Sequence, residues 1–332
     1  MNQHWKNFLL SGTAILGKDD CIVFPEPLIE SNKNIYAISQ LAVLEISGKD
    51  AAALLQGQIT CNINDITESK SSPGALCNPK GRAIATFLLI KKMDAFLLVL
   101  PAQLVTPVKK RLQMYILRSD VDLTDSSNKL CLIGLYHPDS QLSGLHPPEN
   151  LFATTQNDYI SVDFSSMQTP NRYLIIAEAD KAIAIWSERV GNQGFQPENS
   201  EQWRYLDIIS GIPWLTAETS EEFIPQMLNL DKLGGISFNK GCYTGQEIVA
   251  RTHYLGTAKR AMFLAECVTE AAPEPGSAII DCNTGQTAGK VLLAQNQGSI
   301  CKMLIVLQLS ETKTYNLKLM GQNQGKVKLL TL

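Results

Sequence analysis

The hydrophobic pattern of this 332-residue chain changes character near Lys259, and that change limits what the chain can fold into. Before it, strand-like runs alternate with helix-like ones. Residues 35–47 alternate in a strand-like way, and Lys49–Gln58 reads as a short helix. Arg82–Lys91 and Ala95–Leu100 read as a hairpin turned at Lys92-Met93-Asp94. Thr106 at the N-cap and Pro107 at the first helical position predict a helix to about Leu117. Strands recur at Val121–Leu123, Leu130–Tyr136, Tyr159–Phe164 and Arg172–Ala177. Helices are predicted at Asp180–Val190 and at Asn199–Ser210, the second stopped by Gly211 and Pro213. The order β-α-β-β-α-β, given twice, predicts an α+β fold with lobes of ferredoxin-like type. After Lys259 no helical period remains. Ala261–Val268, Ser277–Asp281, Thr287–Ala294, Ile300–Gln308 and Lys326–Leu330 are short strands between Gly, Asn and Gln turns, which predicts a small β-barrel. The expected division is a two-lobed region at 1–257 and a barrel at 258–332. His146-Pro147-Pro148 marks residues 140–150 as a loop or inter-lobe linker.

Composition narrows the function classes. Charged residues make up 18% of the chain, below the usual level of roughly 25%, and hydrophobic residues 45%, so it folds around sizeable cores. A net charge of −3 provides no global field for nucleic acid. Lys109-Lys110-Arg111 reads as a solvated helix face, and a second basic cluster gathers Arg251, His253, Lys259 and Arg260. None of the eight cysteines forms C-x-x-C, and no Cys/His group has zinc-ligand spacing. The expectation is a reduced, cytoplasmic chain without disulfides, resident metal or a standard iron–sulfur ligand set. Lys6 ahead of Phe8–Leu16 faintly resembles a leader, but Ser11, Gly12 and Thr13 interrupt it and Lys18-Asp19-Asp20 follows. No apolar run approaches the ~20 residues that span a bilayer.

The chemistry concentrates in Phe238–Glu247. Thr244 and Glu247 have capping-box spacing ahead of a helix predicted over 246–255, with Ile248, Val249, Thr252 and Leu255 on one broad face. Glu247 and Arg251 are placed as an i,i+4 pair, and Gly256 as the residue after the helix end. Cys242 then precedes a helix start with Lys240 beside it, a setting that favours thiolate. The competing reading is a small buried cysteine among glycines that only permit tight turns.

The run from Leu230 to Arg251, LDKLGGISFNKGCYTGQEIVAR, resembles the signature of the YgfZ family. These are folate-binding proteins linked to tRNA modification and to iron–sulfur enzymes, and relatives of the aminomethyltransferase (T-protein) of the glycine cleavage system. Leu55–Thr60 (LQGQIT), Cys77–Arg82 (CNPKGR), Gly211-Ile212-Pro213 and Phe223–Gln226 resemble other family segments, so the likeness covers most of residues 40–260. It implies two intertwined lobes and a C-terminal barrel around a central opening, with tetrahydrofolate or a derivative as cofactor. It also implies a motif of Lys240, Gly241, Cys242, Tyr243, Thr244, Gly245, Gln246 and Glu247, with Cys242 as a thiol centre. Trp203, Tyr243, Lys240 and Arg251 become candidate cofactor contacts: Trp203 to stack a pterin, Lys240 and Arg251 to hold a carboxylate tail or a phosphate. The residue-level alternatives are core packing for Trp203 and surface solubility for the two cations.

The chain departs from its wider relatives at the acids. Val108 stands where the aminomethyltransferases carry an aspartate, and Pro101 where a nearby asparagine is expected. Ile209 replaces a glutamate, and Leu41 a tryptophan. The expectation is a folate-binding accessory protein that supports iron–sulfur enzymes of tRNA modification through Cys242, with those enzymes as partners. The alternatives are a tetrahydrofolate-dependent aminomethyl- or methyltransferase and a non-catalytic binding scaffold.

Overall fold

The chain starts one sheet, leaves it to build another, and then returns. The computed structural model describes residues 1–17, 22–25, 32–138, 151–256, 258–309, 315–321 and 326–331, and the predicted linker at 140–150 lies outside them. After helix α1 (Gln3–Ser11) and a short hairpin of β1 (Ile15–Leu16) and β2 (Ile22–Val23) comes β3 (Asn34–Ala37). The next strand, β4 (Leu41–Ser47), already belongs to a different sheet. That sheet is completed by β5 (Ser72–Cys77), β6 (Ala83–Lys92), β7 (Ala95–Pro101) and β8 (Asp122–Asp125), in the order β5-β6-β7-β4-β8 with every pairing antiparallel. Residues 83–90 are buried without a break, as a central strand covered on both faces must be. Helix α2 (Ala51–Gln56) and helix α3 (Val105–Ile116) lie in the connections, and α3 buries Val105, Val108 and Leu112.

The chain then resumes the first sheet. β9 (Leu130–Tyr136), β10 (Thr154–Gln156), β11 (Ile160–Asp163), β12 (Arg172–Glu178) and β13 (Gln196–Glu198) join β3 in the order β10-β11-β12-β9-β3-β13. Only the short β13–β3 pairing is parallel. Helix α4 (Ala179–Gln193) and α1 cover one face, where Trp5, Leu9, Ile35, Ile175 and Trp186 form a separate core. Helix α5 (Ser200–Ile209) covers the other face and packs against the barrel.

The barrel is closed in the order β14-β17-β16-β15-β18-β19, from β14 (Arg260–Val268), β15 (Ala278–Asp281), β16 (Thr287–Gln297), β17 (Ile300–Gln308), β18 (Leu317–Leu319) and β19 (Lys326–Leu330). Closure removes exposed strand edges. Cys267, Val291, Met303 and Ile305 fill its interior, while Met262, Leu264, Leu292 and Leu304 face outward into the main core. Two apolar faces explain why β17 reads as a near-continuous apolar run rather than an alternating one.

The structure corrects several local readings. The leader-like N-terminus is an amphipathic helix with Trp5 and Leu9 buried one turn apart. Helix α3 begins at Val105, after a 3-10 turn over Ala102–Leu104, and has no side-chain cap, so Thr106 does not open it. β5 and β18 are additional strands: β5 opens with Ser-Pro-Gly and is buried on both faces, and β18 has only three residues.

Candidate functional site

Two segments far apart in sequence are stitched together around Thr60. Its N–H donates to the carbonyl of Ala75 (3.0 Å), and its own carbonyl accepts from the N–H of Ser237 (2.9 Å). Its hydroxyl donates to the carbonyl of Gly235 (2.6 Å) and accepts from the N–H of Ala75 (2.9 Å). Every polar group of this buried residue is satisfied, which a buried threonine needs. The contact continues along the strap 235–245, which has no regular structure of its own. Lys240 Nζ donates to the carbonyls of Ile59 and Cys61, each at 2.8 Å, and lies 5.2 Å from the centre of the Tyr243 ring. Thr244 N–H donates to the Gly57 carbonyl (3.1 Å), and its hydroxyl to Gln58 Oε1 (3.0 Å). The segments Leu55–Thr60 and Leu230–Arg251 are therefore two sides of one seam.

The third segment closes against the same place. Helix α6 (Gln246–Tyr254) is preceded by Gly245 at φ +84°, and a Cβ there would stand 2.5 Å from the Asn78 carbonyl and 2.9 Å from Gly81 Cα. Gly81, at φ +70°, would in turn drive a Cβ to 2.8 Å from Ile248. Only glycines allow the turn at Cys77–Arg82 to dock so closely on the helix start. Asn78 Oδ1 accepts from the N–H groups of Lys80 and Arg82 and fixes the turn.

This geometry revises the local chemistry. Lys240 is buried and its ammonium is committed to backbone carbonyls, not set beside the Cys242 thiol or in solvent to hold an anion. Burial pushes Lys240 down to about 8. Tyr243 is buried too, and burial pushes its phenol up. No capping box forms: Gly245 is the N-cap, no side chain caps the helix, and Thr244 bonds to Gln58 instead. Among the described residues no ion pair joins Glu247 to Arg251, and both are exposed. Cys242 is exposed between the anchored residues Lys240 and Thr244.

Upstream of the thiol, the strap forms one wall of a cavity of about 460 Å3. Leu233 just before the strap and Ser237 and Phe238 on it line one side, and Asn62, Asp65 and Lys70 line the other from the loop that follows Thr60. At its rim the rings of Phe238 and His253 stack at 3.7 Å and 12°, with Tyr254 edge-on to His253 at 4.8 Å. Cys242 and Trp203 are not among the lining residues. Asp65, Lys70 and the His253 stack escape sequence reasoning, because their shared cavity exists only after the Thr60 seam forms. Among the described residues no group of His, Cys, Asp and Glu side chains could hold a metal ion, and no helix is long and apolar enough to cross a membrane.

No protein-family model matches the chain. Curated relatives do. The tRNA-modifying protein YgfZ of Colwellia psychrerythraea is 36% identical over 234 residues, covering 68% of this chain and 69% of the relative. That of Hamiltonella defensa is 32% identical over 250 residues, covering 74% and 73%. The chain belongs to the YgfZ family. In fold it is similar to the crystal structure of glycine cleavage system aminomethyltransferase T from Bartonella henselae, with a TM-score of 0.77 over 100% of this chain and 97% of that one, at 15% identity.

Within this YgfZ fold, the remaining candidate positions separate cleanly. Trp203 is 0% exposed, and the guanidinium of Arg172 sits 3.8 Å over its ring. Gly134 on β9 makes room for that ring, since a Cβ there would meet it at 2.3 Å. Arg172 is paired with buried Asp207, which also accepts from Trp214 Nε1 at 2.9 Å. Burial pushes the Asp207 carboxyl up, and Arg172 and Trp214 oppose that shift. Asp207 therefore completes an internal ion pair. Val108 is fully buried in the core, and Ile209 packs against it half-buried. Arg251 is exposed on α6, two residues before His253.

Proposed function

We propose that this YgfZ protein is a folate-binding accessory protein that supports iron–sulfur enzymes of tRNA modification through the thiol of Cys242. The observation that carries the reading is the presentation of that thiol. Five of the other described cysteines are buried, and burial pushes Cys61 and Cys77 up to about 12, which makes them poor nucleophiles; Cys282 is exposed too, but it lies on the barrel, away from the anchored seam. Cys242 is exposed while its neighbours are pinned to 57–61 and to the Cys77–Arg82 turn. An exposed thiol on an anchored loop suits chemistry carried out in trans on a partner protein.

The cavity supports the folate part of the reading. Its volume falls within the roughly 300–1,000 Å3 typical of ligand sites. The Phe238–His253 stack offers a flat face for a ring, Lys70 a charge for a carboxylate, and Asn62 and Asp65 polar groups for a heterocycle edge. A reduced folate held there would supply a one-carbon carrier; the protein's residues bind and orient it. Direct measurement tests the reading: tetrahydrofolate should bind in calorimetric titration, and competitive alkylation with peptide mapping should label Cys242 ahead of every other cysteine, exposed Cys282 included. Absence of binding at millimolar ligand, or faster labelling of any other cysteine, would overturn it.

A further inference from the structure

Asp65 and Lys70 both line the cavity, and their opposite charges are not paired with each other. Asp65 ends the 3-10 turn Ile63–Asp65, held by the Asn62 side chain on the N–H of Asn64, and Lys70 follows five residues later in the same loop. Both line the cavity and both are exposed. Neither side chain has an ion pair or a hydrogen bond to another described residue. The loop's own backbone bonds, Asp65 N–H to the Asn62 carbonyl and a mutual Thr67–Lys70 pair, fix the backbone from which each side chain departs. Held apart around one cavity, they suit a ligand with two unlike ends.

We propose that Asp65 and Lys70 set the ligand specificity and orientation of this cavity, resting on the folate reading above. Asp65 takes the edge of the pterin that presents an amino group beside a ring N–H. Two parallel donors match the two oxygens of a carboxylate, the geometry in which charge-assisted bonds are strongest. Lys70 takes the carboxylate tail as a compact point charge. The flat ring lies against the Phe238–His253 stack. This arrangement gives the cavity an acid from a different element than the positions of Val108 and Ile209, where no acid is present.

Calorimetric titration with three probes tests each half: tetrahydrofolate, tailless tetrahydrobiopterin, and p-aminobenzoylglutamate, which lacks the pterin. D65N is expected to weaken tetrahydrofolate and tetrahydrobiopterin about tenfold or more and to leave p-aminobenzoylglutamate unchanged, as loss of a charged partner does. K70M is expected to weaken tetrahydrofolate and p-aminobenzoylglutamate and to leave tetrahydrobiopterin unchanged. Thermal melts of both variants should match wild type, since both side chains are exposed. If wild type binds tetrahydrofolate and both variants bind it equally well, the assignment of Asp65 and Lys70 is wrong while the folate reading stands. If wild type binds no tetrahydrofolate, both readings fall.

Discussion

Lys240 Nζ lies 2.8 Å from the carbonyl oxygen of Cys61, a residue 179 positions away in sequence. With the matching bond to Ile59, this contact turns a motif lysine into a clamp that holds the thiol-bearing strap against the buried loop. Lys240→Met keeps the stem and removes the ammonium, so it should destabilise the protein by about 1.5–3 kcal/mol, the usual worth of a charged hydrogen bond. Denaturant melts check this, and hydrogen exchange should rise across 235–244.

The same group predicts a pH dependence. Its pKa is about 8 folded and 10.5 as the free side chain, so between these values the unfolded chain holds a proton that the folded chain has released. Stability rises with pH wherever the unfolded state binds more protons. Wild type should therefore gain stability relative to Lys240→Met as pH rises from 8 to 10.5. A difference that stays flat or moves the other way across that window contradicts the buried ammonium.

Gly245 should be sensitive to alanine and Gly241 insensitive. Gly245→Ala forces φ +84° on an L-residue and a Cβ into the Asn78 carbonyl, so it should cost more than the 1–2 kcal/mol or so of left-handed strain alone. Gly241 has nothing within 4 Å of an added Cβ, and Gly241→Ala should melt like wild type. Paired thermal melts decide the point.

Trp203 belongs to the core by this structure. Trp203→Ala should lose about 3–5 kcal/mol. Trp203→Phe should lose part of that and keep wild-type affinity for tetrahydrofolate. A Trp203→Phe protein of normal stability with weakened folate binding would return the indole to the ligand site.

Much of the fold was legible because it follows from period. β9, β17 and β19 match their predicted bounds, and the loss of helical pattern after Lys259 marks the barrel. Local rules failed where a distant partner takes the side chain. Thr244 and Glu247 have the spacing of a capping box, but Gln58 claims the hydroxyl. Lys240 is two residues from Cys242 in sequence, yet its charge satisfies two carbonyls in a loop that no local reading connects to it. Helix α1 was within reach, since Trp5 and Leu9 have the spacing of a buried helical stripe, but the run at Phe8–Leu10 masks it. Asp65 is one polar residue in a polar loop, and only the folded cavity distinguishes it.

Aminomethyl transfer should be absent. Val108 is a buried core residue and Ile209 packs against the same core, so neither position presents an acid to steer a folate amine. Folate-dependent ammonia release from an aminomethyl-lipoyl carrier, assayed with purified protein, should stay at the uncatalysed rate. Turnover at an enzyme's usual rate would restore the transferase reading.

The central claim is that Cys242 is exposed for chemistry rather than packed for stability. Cys242→Ala and Cys242→Ser should both melt within about 0.5 kcal/mol of wild type, as exposed substitutions do. Both should fail to complement a strain lacking its own family protein, read as iron–sulfur-dependent tRNA thiomodification measured by nucleoside mass spectrometry. A Cys242→Ala protein that melts like wild type and fully restores that modification would contradict the account.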